Sequence, residues 1–494
     1  MAAWRTCDET RRPLPVALRS HGRFPRTELH EDPTMASRTP AATASRRRFL
    51  KRLAALSSTA FAAPYFIPAS ALGRDDRPAP SERITLAMIG TGNQGLNDLR
   101  DFLKDERVQV IAVCDVNREG PGYWSGGIAG REPALRLVNE TYAQQKAAGT
   151  YRGCDAYADY REVLGRQDVD AVEICTPDHW HALGVIAAAK AKKDIYCQKP
   201  LALTIQEGRA MSNAVKKHGV VFQTGSQQRS DANFRRACEL VRNGRIGEVK
   251  TVRVGMPSGW PDYGKTADRK EPEQVPDGFD FNFWLGPAPE AYYCPARVGV
   301  NFRWIHDYSG GQVTDWGGHH PDCAQWGLGT EHTGPVEIRN ARGLFPQDRL
   351  YNTATEYHFE AVYANGVTMV VSNTERSGVT WEGTEGKVWA NRGALETDPP
   401  TLKDSQILEN EIHLYKSDNH FRNFIDCVIS RQPTAAPVEV AHRSITICHL
   451  GNIAMRLGRE RLKWDPDREV IVDDAEADAM RSRPYRDPWK LEDA

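Results

Sequence analysis

The chain of 494 residues has no charge of one sign to spare. Lys and Arg total 64 against 65 Asp and Glu, a formal net charge of -1, and no block of basic residues occurs outside the first 72. That excludes the electrostatic footprint of a nucleic-acid binder. Cysteine pairs are missing as well. The ten cysteines are scattered singly with no CxxC spacing, which argues against a disulfide framework, and Cys114, Cys175 and Cys197 stand in apolar runs as small buried hydrophobes. Long hydrophobic runs are also absent. The stretch from Leu53 to Leu72 is broken by Ser57, Ser58, Thr59, Pro64 and Pro68, so it makes a poor membrane span, and no stable span is expected.

What the N-terminus does contain is an address. Residues 45–51 read SRRRFLK, with Arg46 and Arg47 ahead of the apolar stretch and a small-residue A-S-A site at Ala69–Ala71. This pattern is a twin-arginine signal. It predicts a removed leader over 1–72, with translation starting at Met35, and a Pro-rich linker over 73–82. It also predicts export to the periplasm by the twin-arginine machinery. That route carries proteins already folded, usually with a cofactor aboard, so a cofactor is to be sought.

The next segment, RITLAMIGTGNQG, has a β-like run from Ile84 to Ile89 followed by Gly90, Gly92 and Gly95 in the spacing G-x-G-x-x-G. Gly90 suits a tight turn, Gly92 close approach of a pyrophosphate, and Gly95 close packing of the following helix, read here as Leu96 to Asp105. Alone the motif is weak. Here a second strand, VQVIAVCD, ends at Asp115, 20 residues past Gly95, where an acid meets the ribose 2'-hydroxyl. Arg118 lies near enough to take a 2'-phosphate, so the cofactor is NAD or NADP, with NAD favoured. Strands VDAVEICTP, DIYCQKP and VVFQTG then alternate with helices over HALGVIAAAKAKK and near 204–218. The prediction is an α/β Rossmann dinucleotide-binding domain over 83–228, its parallel sheet doubly wound. Ligands bind outside the carboxyl ends of such strands, which puts DHWH (178–181) and QKP (198–200) beside the cofactor.

From Glu248 the period changes. EVKTVRVGM, PVEIRNARGLF, TEYHFEAVYANGVTMVVSNT and the run from Lys387 alternate as strands, with a hairpin signal at Asn365–Gly366. An α+β domain over 229–459 with a large, open, mostly antiparallel sheet is expected, with helices near 418–431 and 441–458 and a polar tail over 460–494 wrapping the surface. An uncovered sheet face implies a homo-oligomer. Between Met256 and Tyr308 runs a long segment rich in Pro, Gly and aromatics, including Trp260, Tyr263, Trp284, Tyr292, Tyr293 and Trp304. Such rings suit the C–H faces of a sugar, or equally anchor the loop to the core.

Residues 315–322 read DWGGHHPD. Asp315, His319 and Asp322 at i, i+4 and i+7 would share one helical face. Three readings stand: a proton-transfer site, a metal site using His319, His320 and Asp322 with His179 or His181, and a polar helix start. Adjacent histidines point in different directions on a helix, which argues against a shared ion, and no metal is expected.

On GTGNQG, TPDHWH, the K-P pair Lys199–Pro200 and D-x-x-x-H at Asp315 and His319, the chain from about Arg83 onward resembles the Gfo/Idh/MocA family of sugar and inositol oxidoreductases. The resemblance implies Lys199, Asp315 and His319 as the catalytic set. It puts Gly90, Gly92, Asn93, Gln94, Gly95, Asp115, Thr176, Pro177 and Lys199 against the cofactor, with His181 near the nicotinamide ribose. Asp322 would help hold the substrate, with His320, Arg303 and Trp304 beside it. His319 would be the base, Lys199 a donor to the substrate oxygen. Two departures stand out: Gln198 replaces the usual acid before Lys199, and Pro321 should kink the histidine helix. The expected activity is NAD(P)-dependent oxidation of a CH–OH group in a sugar, polyol or glycoside, with the cofactor tightly held because no exchanging pool exists outside the cytoplasm. The alternatives are a redox-neutral glycosidase working by oxidation, elimination and re-reduction, and a non-catalytic sugar-binding protein.

Overall fold

In the computed structural model, residues 82–491 are described. The twin-arginine leader and nearly all of the linker lie outside them. Strand β1 (Ile84–Ile89) leads through the glycines into helix α1 (Asn93–Phe102), and β2 (Val108–Cys114) follows. The helix starts three residues before the sequence reading placed it, because the glycine turn itself delivers its first backbone groups. Then come β3 (Asp155–Tyr157), β4 (Ala171–Ile174), α2 (Asp178–Lys190), β5 (Asp194–Cys197), α3 (Ile205–His218) and β6 (Phe222–Thr224). The six strands pair in the order β3-β2-β1-β4-β5-β6, all parallel. This is the doubly wound order whose ligand crevice opens where the strand sequence reverses, between β1 and β4. Apolar residues such as Leu86, Val110 and Val172 are fully buried because both sheet faces are covered. Helix α3 is started by a reciprocal capping box between Thr204 and Glu207.

The second domain opens with α4 (Ala232–Arg242) and β7 (Val249–Gly255). After the aromatic segment come α5 (Gln312–Asp315) and α6 (His320–Leu328). Strands β8 (Glu337–Leu344), β9 (Glu356–Val362), β10 (Thr368–Ser372), β11 (Gly378–Gly383), β12 (Lys387–Asn391) and β13 (Ala394–Asp398) follow, then helices α7 (His420–Ser430) and α8 (Val438–Arg456). The tail departs from expectation. Instead of wrapping the surface throughout, it adds β14 (Arg461–Asp465) and β15 (Val470–Val472) to the sheet, and Trp464 is buried there. The nine strands run β13-β12-β11-β7-β10-β9-β8-β14-β15. Every neighbouring pair is antiparallel except β7 with β10. The β9–β10 hairpin turns at Asn365–Gly366 as the sequence predicts, with Gly366 at φ +85°. Along β9, Tyr357, Phe359 and Ala361 face the core while Glu356, His358 and Glu360 face away.

Helix α8 lies against α3, β6 and the large sheet at once, so it ties the two domains. Among the described residues no helix is long and apolar enough to cross a membrane.

Candidate active site

A cavity of about 350 Å³ runs from the glycine loop to the junction of the domains, lined among others by Gly92, Asp115, Thr176, Lys199, Arg303 and Asp315. Asn93, Gln94 and Pro177 also line it. Gly90 has φ +89°, and a Cβ there would lie 2.6 Å from the Cys175 backbone. At Gly95 a Cβ would lie 2.1 Å from the Gly90 carbonyl, so its place is under the turn and not in the cavity wall. Helix α1 begins with no side-chain cap, which leaves its first N–H groups and the positive end of its dipole for an anion. Asp115 accepts from Thr91 N and Asn117 N at 2.8 Å each. Burial pushes its carboxyl up, and those two N–H groups partly offset the rise. An uncapped helix, a glycine cradle and an acid at the end of β2 fit a dinucleotide.

The aromatic segment roofs this cleft. Arg118 N donates to Gly278 O at 2.8 Å, Asp280 N to Val116 O at 3.1 Å, and Val300 N to Gly122 O at 2.9 Å, joining the segment to the loop after β2. Tyr263 packs its ring on Trp124, 4.1 Å between centroids. Beneath, Phe281, Trp284, Phe302, Trp304 and Tyr308 form a separate apolar cluster. The anchoring role therefore takes Trp284 and Trp304, although Trp284 also lines the cavity.

At the cavity's inner end, Lys199 Nζ donates to Asp315 Oδ1 at 2.7 Å, and Arg303 Nε lies 3.4 Å from the same oxygen. Burial alone would raise the Asp315 carboxyl, but Lys199 and Arg303 hold it well below the usual carboxylate range. His319 stands beside them, and burial together with Lys199 and Arg392 keeps its ring neutral. Gly317 and Gly318 make this assembly possible. A Cβ at Gly317 would meet Cys448 Sγ at 2.4 Å, and one at Gly318 would meet Lys199 Cβ at 2.9 Å.

Those glycines also break the helix, which corrects the expectation of one helical face. Asp315 ends α5, His319 caps α6, and Asp322 lies inside α6. Pro321 falls in the first turn of α6, where its missing N–H costs nothing, so it kinks nothing. Asp322 is 1% exposed and accepts from Arg229 Nε at 2.6 Å, Arg229 Nη2 at 2.9 Å and Ser444 Oγ at 2.7 Å. Its oxygens are committed to the core, not to a substrate. His320 is fully buried with Nδ1 2.8 Å from Gly255 O, and is a packing residue. Trp304 is likewise sealed, its indole donating to Pro261 O at 3.2 Å. His181 bridges the Pro200 and Thr176 carbonyls at 2.8 and 2.9 Å, joining two strand-end loops beside the cofactor cleft instead of facing it.

Three features escaped the sequence reading. Asp178, the first residue of α2, lines the cavity, and burial pushes its carboxyl up to about 7. The DHWH stretch flagged the position, but only burial reveals the chemistry. The acid missing at Gln198 has moved underneath: Gln198 Nε2 donates to Asp98 Oδ2 at 2.5 Å and Gln94 Nε2 to Asp98 Oδ1 at 2.7 Å, with Glu173 buried alongside. Asp98 thereby orients two amides of the cavity wall. Finally, Gln228 reaches His319 and is itself held by Arg392, both distant in sequence.

Residues 231–491, more than half of the chain, match the Gfo/Idh/MocA model described as "Oxidoreductase family, C-terminal alpha/beta domain", and residues 131–226 match "Oxidoreductase family, NAD-binding Rossmann fold". The chain belongs to the Gfo/Idh/MocA oxidoreductase family. It is 37% identical over 169 residues to a myo-inositol 2-dehydrogenase of Thermotoga maritima, covering 34% of this chain and 44% of that one. It is 27% identical over 219 residues to glycosyl hydrolase family 109 protein 1 of Shewanella sp. (strain MR-4), covering 41% and 44%. The chain thus spans less than half the length of these curated relatives. In fold it is similar to an aldose-aldose oxidoreductase from Caulobacter crescentus, with TM-score 0.53 and 19% identity over 77% of this chain and 99% of that one. The fold is a Rossmann-type NAD-binding domain joined to an α/β domain with a large mixed sheet.

Proposed function

We propose that this protein is exported to the periplasm by the twin-arginine route and oxidises a hydroxyl of a sugar, polyol or glycoside with NAD that stays bound through the cycle. The observation that carries this reading is a single cavity walled at one end by the uncapped glycine loop and at the other by the Lys199–Asp315 pair. Bound nicotinamide supplies a hydride acceptor. Lys199 spends two N–H groups on Asp315, at 2.7 Å to Oδ1 and 3.3 Å to the backbone oxygen, and has a third for the substrate oxygen. Its positive charge and that of Arg303 favour alkoxide character as the hydride leaves. The hydroxyl proton has two candidate acceptors at the site, His319 and Asp178.

Retention is supported by the roof, where three backbone hydrogen bonds join residues 116–122 to residues 278–300 over the cleft, and by export, which would remove the pool that replaces lost cofactor. Asp115, held by two N–H donors, suits a ribose 2'-hydroxyl and its negative charge would repel a 2'-phosphate, which favours NAD. The outward face of the large sheet is the surface proposed to join copies of this chain. The test is to denature the purified protein without added nucleotide and quantify NAD and NADP by mass spectrometry. About one NAD per chain is expected, and none would sink the retained-cofactor reading.

A second reading, the redox-neutral glycosidase, is favoured by Asp178, whose carboxyl near 7 suits removal of a carbon-bound proton. Glycosides assayed in deuterated water separate the two. Aglycone release with deuterium on the sugar carbon and no net NADH supports the glycosidase, and oxidised sugar with intact glycoside supports the dehydrogenase.

A further inference from the structure

Gln228 sits between two side chains that dictate how its amide faces. Arg392, in the tight turn joining β12 and β13, lays its guanidinium over the Trp316 ring at 4.6 Å. Its Nε and Nη2 each lie 2.8 Å from the Gln228 side-chain oxygen, and the amide nitrogen then lies within hydrogen-bond reach of His319 Nδ1. A guanidinium has donors only, so the amide oxygen must face it. An amide nitrogen also only donates, so Nδ1 of His319 must be the acceptor. Burial beside Lys199 and Arg392 keeps this ring uncharged. A neutral imidazole whose Nδ1 accepts carries its one proton on Nε2. No described residue hydrogen-bonds Nε2, and His319, unlike the sealed His320, is partly exposed.

We propose that Arg392 and Gln228 lock His319 as the Nε2–H tautomer, so that the ring offers the substrate oxygen a hydrogen bond and is not the base. The assignment to a substrate oxygen rests on the oxidoreductase reading; the tautomer does not. A neutral ring that gave up this proton would become an imidazolate, which is inaccessible in water at ordinary pH, so His319 keeps the proton and stabilises negative charge on oxygen. Asp178 is then the acceptor. The O–H bond breaks toward the Asp178 carboxylate, the oxygen electron pair closes the C=O bond, and the C–H electron pair departs as hydride to bound NAD. Gln228 and Arg392 are positioning residues acting through His319.

The test is nitrogen NMR of the full chain carrying ¹⁵N-histidine, with His319 assigned by the signals lost in His319→Asn. A protonated Nε2 and an unprotonated Nδ1 are expected. Gln228→Glu gives Arg392 and Nδ1 a common acceptor and should move the ring proton to Nδ1, lowering kcat about 100-fold, as for loss of one oxyanion donor, with KM little changed. Arg392→Met frees the amide to turn and should give a mixture of tautomers, an independent reading if the first variant folds poorly. A wild-type ring protonated on Nδ1, or tautomers indifferent to both substitutions, overturns the proposal. An Nε2–H ring in a protein that holds no NAD and turns over no sugar overturns the oxidoreductase reading alone.

Discussion

Asp315 and Asp322 lie on either side of Gly317–Gly318, each paired with a cation from upstream. The Asp315–Lys199 pair rests on one side-chain hydrogen bond, with side chains 15% and 14% exposed at the cavity. The Asp322–Arg229 pair has two parallel N–H···O bonds, with side chains 2% and 3% exposed. Ser444 and Glu331 complete the second pair, at 2.7 Å to Asp322 and 2.8 Å to Arg229. An acid that must act on a substrate keeps an open side and a single-point partner. An acid that fixes one element to another has both oxygens taken up by buried donors. Two carboxylates of one short motif thus divide function from support.

The sharpest way to break this contrast is Asp322→Ala. It strands the Arg229 guanidinium in the core with Glu331 alone, and losing one member of a buried pair costs about 3–5 kcal/mol. Denaturant melts should show that loss, while KM per folded molecule stays near the parent value; native stability with a raised KM would move Asp322 into the substrate site. Lys199→Met comes next. Steady-state kinetics should lose about 100- to 1000-fold in kcat, and stability should fall as well, because Asp315 is left with Arg303 alone at a mostly buried site. Unchanged turnover would remove Lys199 from the chemistry.

Local features read well from the sequence because their causes are local. The glycine spacing, the acid ending β2 and the alternation in β9 and β10 each lie within a short window, and Lys199, Asp315 and His319 do come together. The roles of Asp322, His320, Trp304 and His181 did not read, because burial is set by what packs on a residue from elsewhere: Arg229 on Asp322, the Gly255 carbonyl on His320, the Pro261 carbonyl on Trp304. Asp98 and Gln198 lie a hundred residues apart, and Arg392 holds Gln228 against His319 from a hairpin in another part of the sheet. No spacing rule links such positions. The tail was misread for a related reason, since β14 is a strand only because β8 offers it an edge.

The contrast can be sharpened with Asp178, which is buried like Asp322 but has no cation bonded to it and lines the cavity. Its folded pKa, about 7, lies above that of an unfolded aspartate, so the folded state holds a proton that the unfolded state has released. Stability should therefore fall as pH rises between roughly 4 and 7, by about 1.4 kcal/mol per unit, and level off above. Asp178→Asn should lose that slope in denaturant melts across the range, and in the parent kcat/KM should rise with the same ionisation. An identical slope in the variant would assign the pH dependence to another group.

The smallest effect tests the break between the two acids. If the helix ran unbroken from Asp315 through Asp322, Pro321 would sit in its interior, and Pro321→Ala would gain up to about 3 kcal/mol by relieving the clash and restoring a hydrogen bond. With α6 starting at His320, Pro321 occupies the first turn, where its ring limits the unfolded chain and removes no bond. Replacing it there should cost about 0.4–1 kcal/mol. The sign of a melt shift in Pro321→Ala therefore decides between one helix and two. It also decides whether His319 is a helix-face residue, aimed by its neighbours one turn away, or a junction residue aimed by Gln228 and Arg392. A loss of stability accompanied by an unaltered His319 tautomer is the result that two helices require.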